Sequence, residues 1–317
     1  MGPSQGGRTG RGAEPGWAWF VGLATLDVLQ RVDHWPGPNE KLTSTWHEIS
    51  PGGPATNAAM AHAALGGTAL LSTALGSHAV GQTIRGRVEA AGVRVDDRGA
   101  DDTVPAVSSI ILSGTAGDRA IVSADGTGLS VGEPDRAPTL DGCGAVLLDG
   151  HHPRLALWAA RAARAAGVRV VVDAGRWKPA LGELLGLADD VVCSADFTMP
   201  GAADAAAVLE ALLARGVRRA AITRGRDSVL WASVDGGDAG SPASGRIPVP
   251  SVEALDTLAA GDVFHGAYVH AVVQAGIGFP EALAYAAAVT ADKVQVTGQV
   301  AWLDALRARR NSPVGTP

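Results

Sequence analysis

Short apolar runs and segments of helical period alternate through the second half of the chain. The apolar runs are too short for helices and contain few polar residues, which is typical of strands buried on both faces of a sheet. The segments between them place Ala, Leu and Val at helical spacing. This order predicts a largely parallel sheet covered by helices on both faces. The predicted strands are 145–148, 168–172, 191–193, 220–223 and 229–233, and the predicted helices are 153–166, 202–213, 264–273 and 280–291.

The first half of the chain contains the same kind of element together with strands of another kind. Regions 28–50 and 104–124 alternate apolar and polar residues, which is typical of strands at a sheet edge or in a lid. Residues 113–118 are rich in Ser, Gly and Asp and predict a hairpin turn inside the second region. Arg119, next to that turn, is either a solvated charge or a contact to an anionic or hydroxyl-rich end of a substrate. The remaining predicted elements are a buried strand at 17–26, a strand at 70–75 and a helix at 80–91.

Composition and charge narrow the class of protein. With 46% hydrophobic and 18% charged residues, the chain of 317 residues has the composition of a globular protein. No uninterrupted apolar run approaches the roughly 18–20 residues of a membrane helix. A formal net charge of −6 argues against nucleic acid as the main partner. We therefore expect neither a membrane nor a nucleic-acid partner.

The segments at the two ends of the chain and the two cysteines suggest no catalytic or metal-binding role. Residues 1–16 are rich in Gly, Arg and Pro without a hydrophobic segment, so we expect a disordered leader rather than a secretion signal, and a cytoplasmic protein. Residues 311–317 have the composition of a frayed end, which leaves one domain over 17–310. Cys143 and Cys193 lie in apolar, strand-like segments and predict packing rather than a disulfide framework or a zinc site.

The most informative stretch is Asp256-Thr257-Leu258-Ala259-Ala260-Gly261-Asp262, which comes after a strand-like run ending at 247–249 and leads into a predicted helix. Ala259, Ala260 and Gly261 have little or no side chain, so a phosphate can approach their N–H groups and the positive end of the helix dipole. Asp262 beside a bound phosphate would weaken anion binding, so its functional interpretation is a base that takes a proton from an attacking hydroxyl. The alternative is that Asp262 only caps the helix.

Two further polar positions follow or precede predicted elements near the N-terminus. Asp27 follows the apolar run 17–26 and is a candidate for hydroxyl recognition beyond a strand end, or a simple turn residue. Gly52 and Gly53 precede an Ala-rich helix and would bring backbone N–H groups to a polar ligand, with Asn57 in the first turn facing it.

These two motifs resemble the two signatures of the ribokinase-like (PfkB-type) carbohydrate kinases. Asp-Thr-x-Ala-Ala-Gly-Asp-x-Phe-x-Gly-Ala resembles the C-terminal signature, and Gly-Gly-x-x-x-Asn resembles the N-terminal one. The resemblance covers residues 17–305 and implies a three-layer αβα fold with a small β lid, formed by strands from 28–50 and 104–124. It also implies phosphoryl transfer from ATP, with Mg²⁺, to a primary hydroxyl of a ketohexose, a modified ketose or ribose. Lid strands of relatives pair across a dimer, which implies a possible homodimer.

The resemblance assigns roles to individual positions. Asp262 would be the base, with Ala259, Ala260 and Gly261 around the transferred phosphoryl group. Asp27, Gly53 and Asn57 would hold the sugar. Thr223, Gly225 and Gly261 would contact the nucleotide, and Asp256 with the carbonyl of Leu258 would bind a monovalent cation such as K⁺.

The sequence departs from the family pattern at two places. Residues 193–196, Cys-Ser-Ala-Asp, stand where many members have Asn-x-x-Glu, and Asp196 is a candidate for the missing carboxylate. Ser228 replaces the second Gly of the nucleotide loop. These departures leave room for a binding protein without catalysis, and a nucleoside kinase is the nearest enzymatic alternative to a sugar kinase. No Walker motif or dinucleotide Gly-x-Gly-x-x-Gly opens the chain, which speaks against a P-loop enzyme and a dehydrogenase.

Overall fold

Strands of two sheets account for the β structure of the protein. The computed structural model describes residues 16–113, 118–124, 126–129, 131, 137–178, 181–236 and 242–310. Within these ranges the strands are β1 (Trp17–Val21), β2 (Thr25–Val32), β3 (Trp46–Gly52), β4 (Thr68–Thr73), β5 (Val93–Asp97), β6 (Ala106–Ser113), β7 (Asp118–Ser123), β8 (Cys143–Leu148), β9 (Arg169–Ala174), β10 (Asp190–Cys193), β11 (Arg219–Arg224), β12 (Asp227–Ser233) and β13 (Ala243–Ile247).

The larger sheet has the order β13-β12-β11-β10-β9-β8-β1-β4-β5. Its strands pair in parallel except for β12, which is antiparallel to both neighbours. Helices connect the parallel strands, as a parallel crossover requires. The helices in the described ranges are α1 (Pro54–Ala64), α2 (Ala79–Ala90), α3 (Pro153–Ala165), α4 (Leu181–Leu184), α5 (Ala205–Ala214), α6 (Ala260–His270), α7 (Phe279–Lys293) and α8 (Gln299–Arg309).

The central strand β1 shows why both faces of this sheet are covered. Its side chains alternate, so Ala18 and Phe20 enter a core with α1, α2, α6, α7 and α8. Trp19 and Val21 enter a second core with α3, α4 and α5. All four side chains are fully buried, and their removal from water is the main source of stability for the layers. The predicted doubly covered, mostly parallel sheet is confirmed.

The smaller sheet has the order β3-β2-β6-β7 and forms the predicted lid. β2 pairs antiparallel with β3 and parallel with β6, and β6 pairs antiparallel with β7. The register places Asp27 opposite Ser50 on one side and Ser108 on the other. The tip of the predicted hairpin, residues 114–117, lies outside the described residues.

The apolar run 17–26 is not one strand, and the prediction that Asp27 follows a strand of the main sheet is wrong. β1 ends at Val21, and the chain leaves the sheet where the amide of Leu23 donates to Asp149 Oδ2 over 2.9 Å. β2 then begins at Thr25, so Asp27 lies inside the first lid strand. The hydrophobic pattern continues across the break because both sheets bury this segment.

Three elements of the structure have no counterpart in the sequence prediction: β5, α4 and α8. β5 lies at the edge of the sheet, α4 has only four residues, and α8 lies near the end of the chain. The predicted leader, apart from Gly16, and the predicted tail at 311–317 lie outside the described residues. No helix in the part of the chain that the structure describes is long and apolar enough to cross a membrane.

Candidate active site

Helices α1 and α6 carry the two sequence motifs and pack closely at one end of the sheet. A Cβ added at Gly266 would lie 2.3 Å from the carbonyl oxygen of Ala58, so the two backbones touch where only glycine fits. This contact brings the first turns of both helices together. Asn57 Nδ2 donates a hydrogen bond to Asp262 Oδ2 over 2.8 Å, although the residues lie 205 positions apart in sequence.

Asp262 lies among charged groups at the start of α6. Burial, together with the negative charge of Asp173, raises the pKa of Asp262 to about 6. The hydrogen bond that Asn57 donates to Asp262 and the electrostatic effect of the nearby His265 both lower this pKa and so oppose the rise. A carboxyl group with a raised pKa is a stronger proton acceptor once ionised, which suits a general base at neutral pH.

His265 connects the first turn of α6 to the main sheet. Its Nδ1 lies 2.7 Å from the carbonyl oxygen of Gly261 and 3.5 Å from Asp173 Oδ2. Its Nε2 lies 3.1 Å from the carbonyl oxygen of Val192 in β10. Both ring nitrogens therefore face oxygen acceptors, and the ring fixes the backbone one residue before Asp262.

The loop from Ala259 to Gly261 leaves part of its backbone open. The Ala260 amide donates to the carbonyl of Thr257 over 3.2 Å, whereas no described residue accepts a hydrogen bond from the amides of Ala259 and Gly261. Gly261 is exposed, and a Cβ there would meet nothing within 4 Å. Ala259 has φ 58°, the left-handed conformation that glycine adopts without strain. Open amides at a helix start form a suitable anion site.

Asp27 points from the lid to the same cleft. Thr25 Oγ1 donates to Asp27 Oδ1 over 2.6 Å, and a Cβ at Gly52 would lie 2.0 Å from Asp27 Oδ2. Burial raises the pKa of Asp27, and hydrogen bonds from Thr25 and Ser108 oppose the rise. A small cleft is lined by Asp27 together with Asn57 and Ala259.

Gly53 turns the chain into α1. Its φ of 98° is accessible to glycine, and a Cβ would lie 2.3 Å from the carbonyl oxygen of Leu23. Asp149 fixes the same junction, because its Oδ2 accepts hydrogen bonds from the amides of Leu23 (2.9 Å) and Ala55 (3.1 Å). Burial alone would raise the pKa of Asp149, but His151, Lys178 and the amide hydrogen bonds hold it below its ordinary value.

Arg119, at the start of β7, reaches across the cleft. Its guanidinium donates a hydrogen bond to Thr257 Oγ1 in the loop before α6. Arg119 is exposed, and its charge also acts on Lys293. The lid therefore contacts the loop before α6 through the positively charged side chain of Arg119.

Two of the three predicted nucleotide residues, Thr223 and Gly225, lie near and just after the end of β11. Thr223, near the end of β11, donates to the carbonyl of Cys193 over 3.2 Å. Gly225 is exposed in the following turn with φ 61°. β10 connects these residues to Asp262, since Val192, the neighbour of Cys193, contacts His265. Asp196, the candidate for the missing carboxylate, is exposed after β10.

Asp256, a predicted ligand of a monovalent cation, lies beside the ammonium group of Lys293. Asp256 is 4% exposed, and its Oδ1 and Oδ2 accept from the amides of Leu258 (2.8 Å) and Gly298 (3.1 Å). Lys293 Nζ donates to the carbonyl of Asp256 over 2.9 Å. Burial lowers the pKa of Lys293 to about 8, although the charges of Asp256 and Asp262 oppose this.

Four residues near the site were missed by sequence reasoning or named without a role. Asp149 and Asp173 follow or end apolar strands, a position where sheets of this class bind ligands, so a signal was present. The signal for His265 was its place one helical turn after Asp262. Lys293 had none, since a lysine in the last turn of a helix is ordinarily solvated.

Solved structures with the same architecture define the class of this protein. A candidate ribokinase from Agrobacterium tumefaciens matches with a TM-score of 0.79 and 29% identity, over 93% of this chain and 98% of its own. Ribokinase of Arabidopsis thaliana, complexed with ribose and ATP, matches with a TM-score of 0.71 and 22% identity over 94% and 100%. Ribokinase from Cryptococcus neoformans var. grubii serotype A, in complex with ADP, gives 0.68 and 21% over 94% and 100%. The fold is that of ribokinase.

The family follows from a separate comparison. The model of the pfkB family carbohydrate kinases matches residues 19–305, which include both sequence motifs. The chain belongs to this family of carbohydrate kinases. The roles of the individual site residues remain predictions.

Proposed function

We propose that this protein transfers the terminal phosphoryl group of ATP to a primary hydroxyl of a small sugar. The observation that supports this proposal is the 2.8 Å hydrogen bond from Asn57, one of the predicted sugar residues, to Asp262, the predicted base. The amide holds Asp262 Oδ2, and no described residue donates to Oδ1. A sugar hydroxyl that donates to Oδ1 would be aligned for proton transfer.

Each part of the cleft has a role in this reaction. Asp27, Gly53 and Asn57 hold the sugar hydroxyls, and Asp262 takes the proton as the oxygen attacks the phosphorus. The open amides of Ala259 and Gly261 and the start of α6 stabilise negative charge on the transferred group. ADP leaves with the bridging oxygen.

The nucleotide lies on the side of β10 and β11 in this proposal. Thr223 and Gly225 contact it, and Gly261 approaches its phosphates. Magnesium supplies positive charge to the phosphates in such reactions, and it needs only one or two protein carboxylates besides phosphate oxygens. Asp173, whose charge acts on Asp262, is a carboxylate suited to that ion. Support for ATP comes from the relatives solved with ATP and ADP.

The acceptor is proposed as a ketohexose, a modified ketose or ribose. A coupled assay of ADP release tests this with those sugars and with adenosine. Turnover of one sugar with a higher kcat/KM than adenosine is the expected result, while a preference for adenosine would identify a nucleoside kinase. Sugar binding by thermal shift without ADP release for any acceptor would favour a binding protein without catalysis.

We also propose a homodimer through the lid. The register aligns Ile49, Val28, Ser109 and Val122 in one row, and Ile49 and Val122 are 41% and 75% exposed. An apolar row on the outer face of a sheet is typical of an interface. Light scattering after size-exclusion chromatography should give twice the mass of the chain, and Val122→Glu should give a monomer. A monomeric wild-type protein would contradict the dimer.

A further inference from the structure

Lys293 is a buried lysine beneath the loop that leads into α6. Its side chain is 1% exposed, and its Nζ lies 2.9 Å from the carbonyl oxygen of Asp256 and 3.7 Å from Asp256 Oδ1. A buried ammonium is costly unless oxygen atoms of opposite or partial negative charge surround it. Asp256 supplies two such atoms, one from its backbone and one from its side chain.

Asp256 transmits this contact to the anion site. Its carboxylate accepts from the amides of Leu258 and Gly298, and its own amide donates to the carbonyl of Val294 over 3.1 Å. The ammonium, the carboxylate and two segments of backbone therefore form one unit. Leu258 directly precedes Ala259, so this unit sets where the open amides point.

Asp256, whose carbonyl and Oδ1 lie near Nζ, is one of the two residues that the family resemblance gives to a monovalent cation, the other being Leu258 through its carbonyl. The carbonyl of Asp256 already accepts from the ammonium, and Oδ1 accepts from an amide with the ammonium nearby. A second cation on Asp256 would lie close to the like charge of the ammonium, and both carboxylate oxygens already accept from backbone amides. The residues described by the structure therefore do not fit a potassium ion at this place.

We propose that the ammonium of Lys293 takes the place of a monovalent cation, so that the activity of this protein does not require K⁺. Lys293 is then a positioning residue that holds residues 256–261 in the shape that receives the phosphoryl group. The inference rests on the proposed kinase function only for its kinetic part. A tethered charge has no binding equilibrium, so the loop keeps its shape at any salt composition.

The kinetic test replaces KCl by tetramethylammonium chloride at constant ionic strength. Wild-type kcat and KM for ATP should not respond to added KCl. Lys293→Met removes the ammonium and frees the oxygens, so kcat/KM should fall roughly 10–100-fold without K⁺ and recover when K⁺ is added. Lys41→Met, at an exposed position, is the matched control and should behave as wild type. Activation of the wild-type enzyme by K⁺, or a loss in Lys293→Met that K⁺ does not restore, would overturn the proposal.

Thermal unfolding gives a second readout that needs no sugar. KCl should raise the Tm of Lys293→Met above its value in tetramethylammonium chloride, and should leave the Tm of the wild-type protein and of Lys41→Met unchanged. The Tm measurement tests the inference independently of the proposed reaction, because it can be made even when the protein turns over no acceptor. If Lys293→Met does not fold, the wild-type measurement decides, since a specific rise of its Tm in KCl would show an occupied cation site and contradict the proposal.

Discussion

Asn57 donates a hydrogen bond to Asp262 over 2.8 Å, and this contact joins the two halves of the cleft. One residue lies in the first turn of α1 and the other in the first turn of α6. The contact holds one carboxylate oxygen of Asp262, and Asn57 itself also lines the cleft that contains Asp27. In the proposed function, recognition of the acceptor by Asn57 and activation of its hydroxyl by Asp262 therefore depend on one side-chain pair.

Replacement of Asp262 by Asn should remove turnover and leave sugar binding in place. Loss of a general base lowers kcat by about 10²–10⁴-fold. The raised pKa of Asp262 means that the fold disfavours its ionised form, so Asp262→Asn should also unfold at a Tm no lower than that of the wild type at pH 8. Rates by ADP release, sugar affinity by calorimetry and Tm by calorimetry test the three expectations. Undiminished turnover in a folded variant would refute the role of Asp262.

The pH profile should report the same carboxyl group. The base acts when ionised, so kcat/KM should fall on the acid side as the pH drops through about 6, the pKa of Asp262. Asn57→Ala removes an N–H bond that stabilises the ionised form, so the pKa should rise and the acid limb should move to higher pH.

The shift of the acid limb in Asn57→Ala also shows whether the limb belongs to Asp262 or to Asp27, since the pKa of Asp27 is raised as well. Asn57 donates to Asp262, and the hydrogen bonds to Asp27 come from Thr25 and Ser108. An acid limb that stays in place in Asn57→Ala, measured as kcat/KM from pH 5 to pH 9, would assign the limb to another group.

Ala259→Gly should stabilise the protein without loss of turnover. A non-glycine residue in the left-handed region costs about 1–2 kcal/mol, and the added freedom of glycine in the unfolded chain costs about 0.4–1 kcal/mol. The free energy of unfolding should therefore rise by up to about 1.6 kcal/mol, the largest difference of these terms. Ala260→Gly, in the helical region, is the control and should lower stability. A fall in stability for Ala259→Gly in urea titrations would mean that the loop is unstrained.

Gly52→Ala should damage sugar recognition more than folding. The added methyl group would lie 2.0 Å from Asp27 Oδ2, so the carboxylate must move away from its place in the cleft. Displacement of a binding group by about 1 Å can cost roughly 10²-fold in kcat/KM. Gly86→Ala is the matched control, because a Cβ at Gly86 meets nothing within 4 Å in the exposed part of α2. Equal kcat/KM values for the two variants would show that Asp27 does not hold the sugar.

The sequence was sufficient for the layers of the fold because strand and helix periods are local properties. It failed between Val21 and Thr25, where the chain passes from one sheet to the other within three residues. Both sheets bury this segment, so hydrophobicity does not change at the boundary. The break depends on Asp149, whose carboxylate receives the amide of Leu23 from 126 positions away.

The candidate site, like the fold, could be predicted from the sequence only in part. Asp262, Asn57 and Gly53 stand in motifs that a reader of the sequence can recognise, and the structure brings Asn57 and Asp262 into direct contact. Lys293 gives no such signal, because the same residue at the end of an Ala-rich helix would ordinarily extend into water. Its burial depends on the turn before Gly298, which folds over Asp256.

The contact of Gly266 with Ala58 has a consequence for how the protein is made and inhibited. Because backbone touches backbone there, the pair of Asn57 and Asp262 is preorganised when the polypeptide folds, before any acceptor arrives. The entropy of bringing amide and carboxylate together is therefore spent once, at synthesis, rather than in every turnover. A competitive inhibitor of the proposed reaction would therefore meet a surface that the packing of α1 against α6 already holds in place.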